Sequence, residues 1–356
     1  MEFLFASAAP PAAAAPAAAP AAAAPPTVVA APADTGSGAA ITVPTFTAEE
    51  KAMLEIPVPF SDFGSVHERA LVYLRARRDR ALTADSSLTP SSEVTRDPRL
   101  WRFFVACKFD AEAAADMYVA QLEWRRDAGV DAMRADLVAA NPNFFTKGSE
   151  TLQVIHLSDE DRRLLTEVYP RTWSCSAQGA GAGGGFAPLL DRQGNLIYIE
   201  APAYVNFSEL ATAGIEAYTR AATRLMELQQ LVLDELTRRQ GRLVLVLRIL
   251  DLLDLRVVNP FKGSKEKEGE RIGKEASKPF AEAYPTTTYK NMLINAPAAN
   301  MIKPLVAVFV PARSAKKTVI LGAKFSEDLQ KEADISNLPQ KLGGTVDDGL
   351  IWTKKR

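Results

Sequence analysis

Two positively charged side chains stand inside apolar segments whose residue types favour β-strands, and both could bind an anion. Arg248 lies in LVLVLRILDL, residues 243–252, and Lys290 lies in YKNMLI, residues 289–294. Arginine does not lose its proton in proteins, so a buried guanidinium needs an anionic partner. A lysine on an apolar strand face must likewise reach water or an anion.

The partner of Arg248 is open at this stage. It is either a carboxylate on a neighbouring element, with Glu200 and Glu227 as candidates, or an anionic group of a bound ligand. Because side chains alternate along a strand, Val244, Val246 and Leu250 share its face.

The partner of Lys290 is equally open, because the side chain could extend into water at the end of its strand or contact a ligand phosphate. Met292 and Ile294 share its face by the same alternation. The following segment, residues 298–310, is apolar and lies between Pro297 and Pro311. It is consistent with a buried core helix or with a movable wall over an apolar cavity.

Several other chemistries find no support in the sequence. Two cysteines and two histidines leave little for a disulfide framework, a metal site or a Ser/His triad. No G-x-S-x-G motif is present, and no Lys-Ser/Thr follows the glycine run at residues 179–185. A net charge of −1 does not favour nucleic acid, and no apolar run is long enough to span a bilayer. We expect no catalysis, no metal and no cofactor.

Composition divides the chain into three parts. Residues 1–45 form an Ala/Pro-rich tail without Lys or Arg, which predicts disorder. Residues 46–140 predict a small all-helical region, with Asp97-Pro98 and Asp110 as helix starts and Gly129 as a stop. Residues 141–352 predict an α/β domain with a mostly parallel sheet, because strand and helix patterns alternate.

Both folded parts have further predicted elements. Residues 81–96 and 141–185 are predicted to be irregular, and residues 259–278 a solvated loop leading into a helix. Short strands are expected at 186–190 and 195–200 around a turn, and at 318–321. A long helix is predicted from Gly214 to Gln240, with Gly241 as its end. The apolar run at 243–252 predicts a central parallel strand.

Six motifs stand in a fixed order along residues 97–346. They are LWRFFVACKFDAEAAADMYVAQLEWRRDAGVD (100–131), DRQGNLIYIE (191–200), GRLVLVLRILDL (241–252), YPTTTYKNMLINAP (284–297), KKTVILG (316–322) and NLPQKLGG (337–344). In this order they resemble the Sec14-like (CRAL-TRIO) family of lipid-binding and lipid-transfer proteins.

The resemblance implies a lipid held in a hydrophobic cavity floored by the sheet and closed by a helical gate. It matches Lys290 to a lysine that contacts inositol phosphate, and Val244 to a headgroup-binding glutamate. Arg248 would then face the cavity. Cys107-Lys108 stands where the family has a basic pair. The implied ligand-binding residues are Lys290, Arg248, Lys108, Tyr198, Val244, Val246, Leu250, Met292 and Ile294. The implied gate residues are Pro297, Ala298, Met301, Ile302, Leu305, Val306 and Phe309.

The expected function is therefore to carry or present a phospholipid, with phosphatidylinositol as one candidate. The protein is expected to be a cytoplasmic monomer that contacts membranes transiently. The alternative is a regulatory domain that binds another lipophilic molecule, such as a sterol, a tocopherol-like or retinoid-like compound, or haem held by Tyr198 or Tyr204.

Overall fold

The computed structural model describes residues 42–140, 158–169, 171–172, 188–255, 263–285, 287–296 and 316–346 of the 356-residue chain. The predicted gate and residues 1–41 of the predicted tail lie outside these residues. Within the described ranges, no helix is both long and apolar enough to cross a membrane. Nor do these ranges contain three or more His, Cys, Asp or Glu side chains grouped to hold a metal ion.

Five α-helices lie within residues 42–140, as the predicted helical region requires. Thr47 and Glu50 form a reciprocal capping box at the first helix, and Asp110 caps the fourth by accepting from the Ala113 amide at 3.0 Å. The first four helices bury one aromatic-rich apolar core. They are α1 (Ala48–Leu54), α2 (Ser65–Ala84), α3 (Asp97–Ala106), α4 (Ala111–Asp127) and α5 (Val130–Ala140).

The α/β part contains a long helix and a sheet. The helix, α8, ends where Gly241 adopts a left-handed conformation (φ 64°), as predicted. The helices of this part are α6 (Asp159–Arg162), which continues into a π-helical turn (Arg163–Val168), α7 (Phe207–Ala213), α8 (Ile215–Gln240), α9 (Ser264–Glu275), α10 (Phe280–Ala283) and α11 (Ser326–Glu332). The strands are β1 (Arg171–Thr172), β2 (Leu196–Glu200), β3 (Val246–Asp251), β4 (Thr288–Ile294) and β5 (Thr318–Ile320).

The described strands form one sheet in the order β1-β2-β3-β4-β5. Strands β2 to β5 are parallel, and β1 pairs antiparallel with β2. The predicted central strand is therefore confirmed as β3, which is buried over nearly its whole length. A run of branched apolar residues suits this position because both faces of a parallel sheet are covered.

Two helical layers cover the sheet. On one face, α8 packs against Leu196, Tyr198 and Val246. On the other face, α11 and the segment after it pack against Leu247, Ile249 and their neighbours on β2 and β4. The N-terminal helices lie on the far side of α8, because side chains of α3, α4 and α5 bond to it.

Three predicted stretches differ from the structure. Helix α2 extends to Ala84, into the predicted loop 81–96, and α3 starts with Arg96 rather than Asp97 as its N-cap. The stretch 141–185, predicted to be irregular, includes α6, its π-helical turn and β1. Four- and six-residue helical pieces are too short to show a periodic apolar pattern.

The predicted hairpin and the predicted loop 259–278 also change. Within the described part of the strand predicted at 186–190, residues 188–190 form one bridge, Leu190 with Leu196, and β1 pairs with the other end of β2. Residues 264–275 form α9 instead of a loop. This helix packs through glycine: a Cβ on Gly269 would lie 1.9 Å from the carbonyl oxygen of Phe207 in α7. A glycine contact leaves no apolar stripe to detect in the sequence.

Candidate functional site

A row of polar side chains crosses the sheet on the face that α8 covers. Tyr198 on β2 pairs with Arg248 on β3, Arg248 with Asn291 on β4, and Asn291 with Thr318 on β5. Residues in register on parallel strands point to the same side of the sheet. We call these four residues the polar row.

Apolar residues border the polar row on both sides. Towards the amino ends of the strands, the next residues on this face are Leu196 and Val246. Towards the carboxyl ends they are Leu250, Leu293 and Ile320, with Glu200 at the β2 position. The face thus combines hydrogen-bonding groups with apolar surface, as a site for an amphipathic molecule requires.

Arg248 is the cation of this row. Its Nη2 donates to Oε2 of Glu200 at 2.7 Å, and the two side chains are 16% and 7% exposed. Of the two carboxylates expected from the sequence, Glu200 is therefore its partner. The Nε–H of Arg248 is buried and has no hydrogen-bond partner within the described part of the chain. Such an unmade hydrogen bond costs about 1–3 kcal/mol, so this group is poised to donate to an acceptor.

Lys290, Met292 and Ile294 lie on the opposite face. They pair in register with Leu247, Ile249 and Asp251 of β3, after a register shift at the start of the strand. Lys290 Nζ lies 2.6 Å from Oε1 of Glu332, the last residue of α11. Met292 and Ile294 are buried in the apolar cluster that includes Leu329.

The predicted ligand-binding residues of the sheet are therefore divided between its two faces. Tyr198, Val246, Arg248 and Leu250 share one face, and Val244 packs in the same cluster as Val246 just before β3. Lys290, Met292 and Ile294 occupy the other face. A contact of any of these residues with a ligand stays a prediction.

Lys108 lies at the exposed corner between α3 and α4. It adopts a left-handed conformation (φ 53°), and its amide donates to the Val105 carbonyl at 3.1 Å. The next amide, of Phe109, donates to the Phe104 carbonyl at 2.9 Å, and the two rings pack edge to face. These bonds form a Schellman motif that ends α3. The local structure thus gives Lys108 a role in ending the helix, and its predicted contact with a ligand stays a prediction.

Comparison with known proteins adds a family to this geometry. Residues 183–344 match the model of the CRAL/TRIO domain. The SEC14 cytosolic factor of Kluyveromyces lactis is 28% identical over 258 residues, which cover 70% of each chain. A CRAL-TRIO domain-containing protein of Saccharomyces cerevisiae is 24% identical over 265 residues, covering 70% of this chain and 71% of the relative.

Over these residues the chain is similar to the Sec14-like CRAL-TRIO family. The family consists of lipid-binding and lipid-transfer proteins that are generally not enzymes. A phosphatidylinositol/phosphatidylcholine transfer protein of Arabidopsis thaliana, SFH4, is 23% identical over 293 residues, covering 80% of this chain and 40% of that protein. The crystal structure of Sfh5 aligns with 86% of this chain and 91% of its own, with a TM-score of 0.46 and 14% identity.

The gate predicted for this CRAL-TRIO domain, Pro297, Ala298, Met301, Ile302, Leu305, Val306 and Phe309, lies outside the described residues, and its role stays a prediction. The structure does describe the end of β4, which leads into it. Asn295 is in a left-handed conformation (φ 52°), and its Nδ2 donates to Oδ1 of Asp251 at 2.8 Å. This bond joins the ends of the two central strands.

Sequence reasoning missed Asn291 and Thr318 as members of the polar row. Both face the same side as Arg248 only because of the register between β3, β4 and β5. Nothing in the sequence of one strand specifies its register with the next. Within β4 and β5 the sequence marks both only as polar residues beside apolar ones, which does not reveal the face they share with Arg248.

Proposed function

We propose that this protein is a non-catalytic carrier that binds one phospholipid and moves or presents it between membranes. Its family binds lipids, and the polar row on an otherwise apolar sheet face suits an amphipathic ligand. Burial of acyl chains provides roughly 0.8 kcal/mol per methylene, which favours extraction of a lipid from a bilayer. We further propose that it acts as a cytoplasmic monomer with transient, peripheral membrane contact.

The observation that carries the proposal is the buried Nε–H of Arg248, which lacks an acceptor within the described residues. Glu200 balances the charge of the guanidinium but uses only part of its fork of five donors. A phosphate oxygen of the lipid would accept from the buried Nε–H, and such charge-assisted bonds are about twice as strong as neutral ones. Tyr198, Asn291 and Thr318 offer further hydroxyl and amide groups along the same row.

Phosphatidylinositol is one candidate headgroup, because the Arabidopsis relative is named for transferring it. The charges around Lys290 do not favour binding of phosphatidylinositol that carries further phosphates on its inositol ring. Glu332 pairs with this lysine, and the Tyr289 hydroxyl beside it donates to Asp191. We therefore place the lipid phosphate at Arg248 and expect little preference for extra phosphates on the inositol ring.

The test is the lipid content of purified protein, extracted with organic solvent and identified by mass spectrometry. Wild type is expected to carry one phospholipid per chain. Arg248→Met is expected to fold and to purify with little phospholipid, whereas Arg271→Met, at an exposed surface pair on α9, keeps its full content. A folded Arg248→Met protein with full phospholipid content contradicts the proposal, and a sterol or haem in wild type favours the alternative function.

A double variant separates folding from binding. Arg248→Met alone leaves Glu200 buried without its partner, which can destabilise the protein. Arg248→Met combined with Glu200→Met removes both charges, and such apolar replacements of buried pairs are often neutral or stabilising. This protein is expected to fold and still to lack phospholipid.

Lys290→Ala tests the second cation by transfer assays between vesicles. If Lys290 lies outside the headgroup site, transfer of anionic and neutral phospholipids changes equally. A much larger loss for anionic phospholipids instead places Lys290 on the lipid phosphate, and contradicts our placement of the phosphate at Arg248.

A further inference from the structure

Side chains of the N-terminal helices bond to two backbone carbonyls, one two residues before β3 and one at the end of α10, which precedes β4. Nη2 of Arg102, on α3, donates to the Val244 carbonyl at 2.7 Å, ahead of β3. Nε2 of Gln121, on α4, donates to the Ala283 carbonyl at 2.6 Å, ahead of β4. Arg102 is 1% exposed and Gln121 is 2% exposed, so water cannot readily replace either donor.

A buried carboxylate adds a third link. Glu227 of α8 is fully buried and accepts from Arg125 on α4 at 2.7 Å and from Arg134 on α5 at 3.1 Å. The hydroxyl of Tyr284 donates to the same carboxylate at 2.7 Å. The ring of Tyr284 also packs edge to face on Trp124 of α4, with centroids 5.7 Å apart.

These links act on the strands that carry the polar row. Arg248 lies on β3 and Asn291 on β4, and the first amide of β3, of Val246, donates to the Thr287 carbonyl beside the start of β4 at 2.7 Å. Movement of either strand start would change the position of Arg248 relative to Asn291. Sites of this kind require their groups to be held within about 0.5 Å.

We infer that the N-terminal helices clamp the starts of β3 and β4 and thereby determine how long the domain retains its lipid. Arg102, Gln121, Glu227 and Tyr284 are positioning residues, because they act on the polar row through the backbone of the two strands. The effect on lipid retention rests on the proposed function, whereas the clamp itself is a property of the fold.

A matched pair of tyrosine variants tests this role in the full-length chain. Tyr284→Phe removes only the hydroxyl that bonds to Glu227. Tyr118→Phe removes an equally buried hydroxyl, which donates to the Val94 carbonyl at 3.1 Å inside the N-terminal core. Both variants lose one buried hydrogen bond, and because the bond to the Glu227 carboxylate is charge-assisted, the melting temperature is expected to fall more in Tyr284→Phe than in Tyr118→Phe.

The readout is the rate at which a phospholipid with a fluorescent acyl chain leaves the protein for phosphatidylcholine vesicles. Tyr284→Phe is expected to release it about two- to tenfold faster than wild type, as loss of one buried hydrogen bond allows. Tyr118→Phe is expected to release it at the wild-type rate. Gln121→Leu, which frees the Ala283 carbonyl, is expected to behave like Tyr284→Phe.

Hydrogen exchange without lipid gives an independent measurement. In Tyr284→Phe and Gln121→Leu, the Val246 amide is expected to exchange faster, and in Tyr118→Phe it is expected to stay protected. Equal release and equal exchange in all three variants would overturn the clamp. If wild type binds no phospholipid, the proposed function fails while the exchange measurement still decides whether the clamp exists.

Discussion

Both helical layers pack on the sheet through apolar clusters, but α8 is also fixed on its outer side by buried ion pairs. The outer side of α8 is joined to the N-terminal helices by buried ion pairs, in which Glu227 and Asp234 receive arginines from α3, α4 and α5. On the opposite face, α11 contributes Leu329 to an apolar cluster with β2, β3 and β4. Its ion pair with the sheet, between Glu332 and Lys290, is only partly buried.

This difference determines how each layer responds to change. A buried ion pair requires specific distances and angles, and removal of one partner leaves a charge without compensation. Apolar packing is less directional and accepts replacements of similar volume at small cost. We therefore expect the α8 layer to hold one arrangement strictly and the α11 layer to tolerate substitution.

The largest expected effect comes from Glu227→Gln. The change removes the charge that Arg125 and Arg134 share at the centre of the network and leaves them their outer carboxylates, Asp131 and Asp234, which is expected to lower the free energy of unfolding by about 4 kcal/mol. Urea unfolding measures it. The control is Glu216→Gln in the exposed first turn of the same helix, with an expected loss of at most about 0.5 kcal/mol. Similar losses in both variants would mean that the buried network contributes little.

The same carboxylate predicts an acid dependence. Burial by itself would raise the pKa of Glu227, but the adjacent Arg125 and Arg134 lower it to about 2. Because the pKa in the folded state is below the ordinary carboxylate value, this group stabilises the fold above pH about 4.3. That contribution is lost as pH falls towards 2. The difference in unfolding free energy between wild type and Glu227→Gln should therefore become smaller as pH falls from about 4.3 to about 2.

The α11 layer gives the next effect. Leu329 is fully buried, and Leu329→Ala is expected to cost about 3 kcal/mol through lost apolar contact and a cavity. Leu329→Met should recover most of this loss, because volume-conserving apolar replacements usually cost under about 1.5 kcal/mol. Glu227→Asp is the parallel test on the α8 layer. It keeps the negative charge but shortens the side chain, so it should recover less than half of the stability that Glu227→Gln loses. Equal fractional recovery of stability by Leu329→Met and Glu227→Asp would contradict the expected difference between the α11 and α8 layers.

The helices and the central strand were predictable because their signals are local. Asp110 as a cap, Gly241 as a helix end and the apolar run of β3 all occupy the expected positions. Strand alternation also placed the Arg248 side chain on the face opposite those of Leu247 and Ile249. These inferences need only neighbouring residues.

What the sequence could not show depends on distant pairing. The face of Lys290 relative to Arg248 follows from the register shift at the start of β4, which no pattern within β4 reveals. The arginines of the N-terminal helices would ordinarily be assigned to the surface. Arg99, Arg125 and Arg134 are buried because Glu227 and Asp234, far along the chain, receive them.

The smallest expected effect concerns His67 in the N-terminal helices. Protonation of this residue is expected to make the stability of these helices sensitive to mild acid, a sensitivity that α11 and its neighbours lack. His67 is 8% exposed and stacks on Phe63 with ring centroids 4.4 Å apart. Its Nδ1 accepts from the Gly64 amide at 3.3 Å, at the start of α2, so the ring is neutral in this arrangement. Residues 316–346, which include α11, contain no histidine.

Burial lowers the pKa of His67 in the folded protein, so the unfolded chain binds a proton at higher pH than the folded chain does. The contribution of His67 to stability is therefore complete above its ordinary pKa of about 6.5 and declines as pH falls below that value. A protonated ring would also lose its acceptor at Nδ1 and face the positive end of the α2 dipole.

Urea unfolding of wild type and His67→Phe at pH 7.5 and pH 5.5 measures the effect. The other histidine, His156, is present in both proteins, so its contribution cancels in the difference. Wild type should lose more stability on acidification than His67→Phe, and a smaller loss in wild type would show that the fold holds His67 in its protonated form.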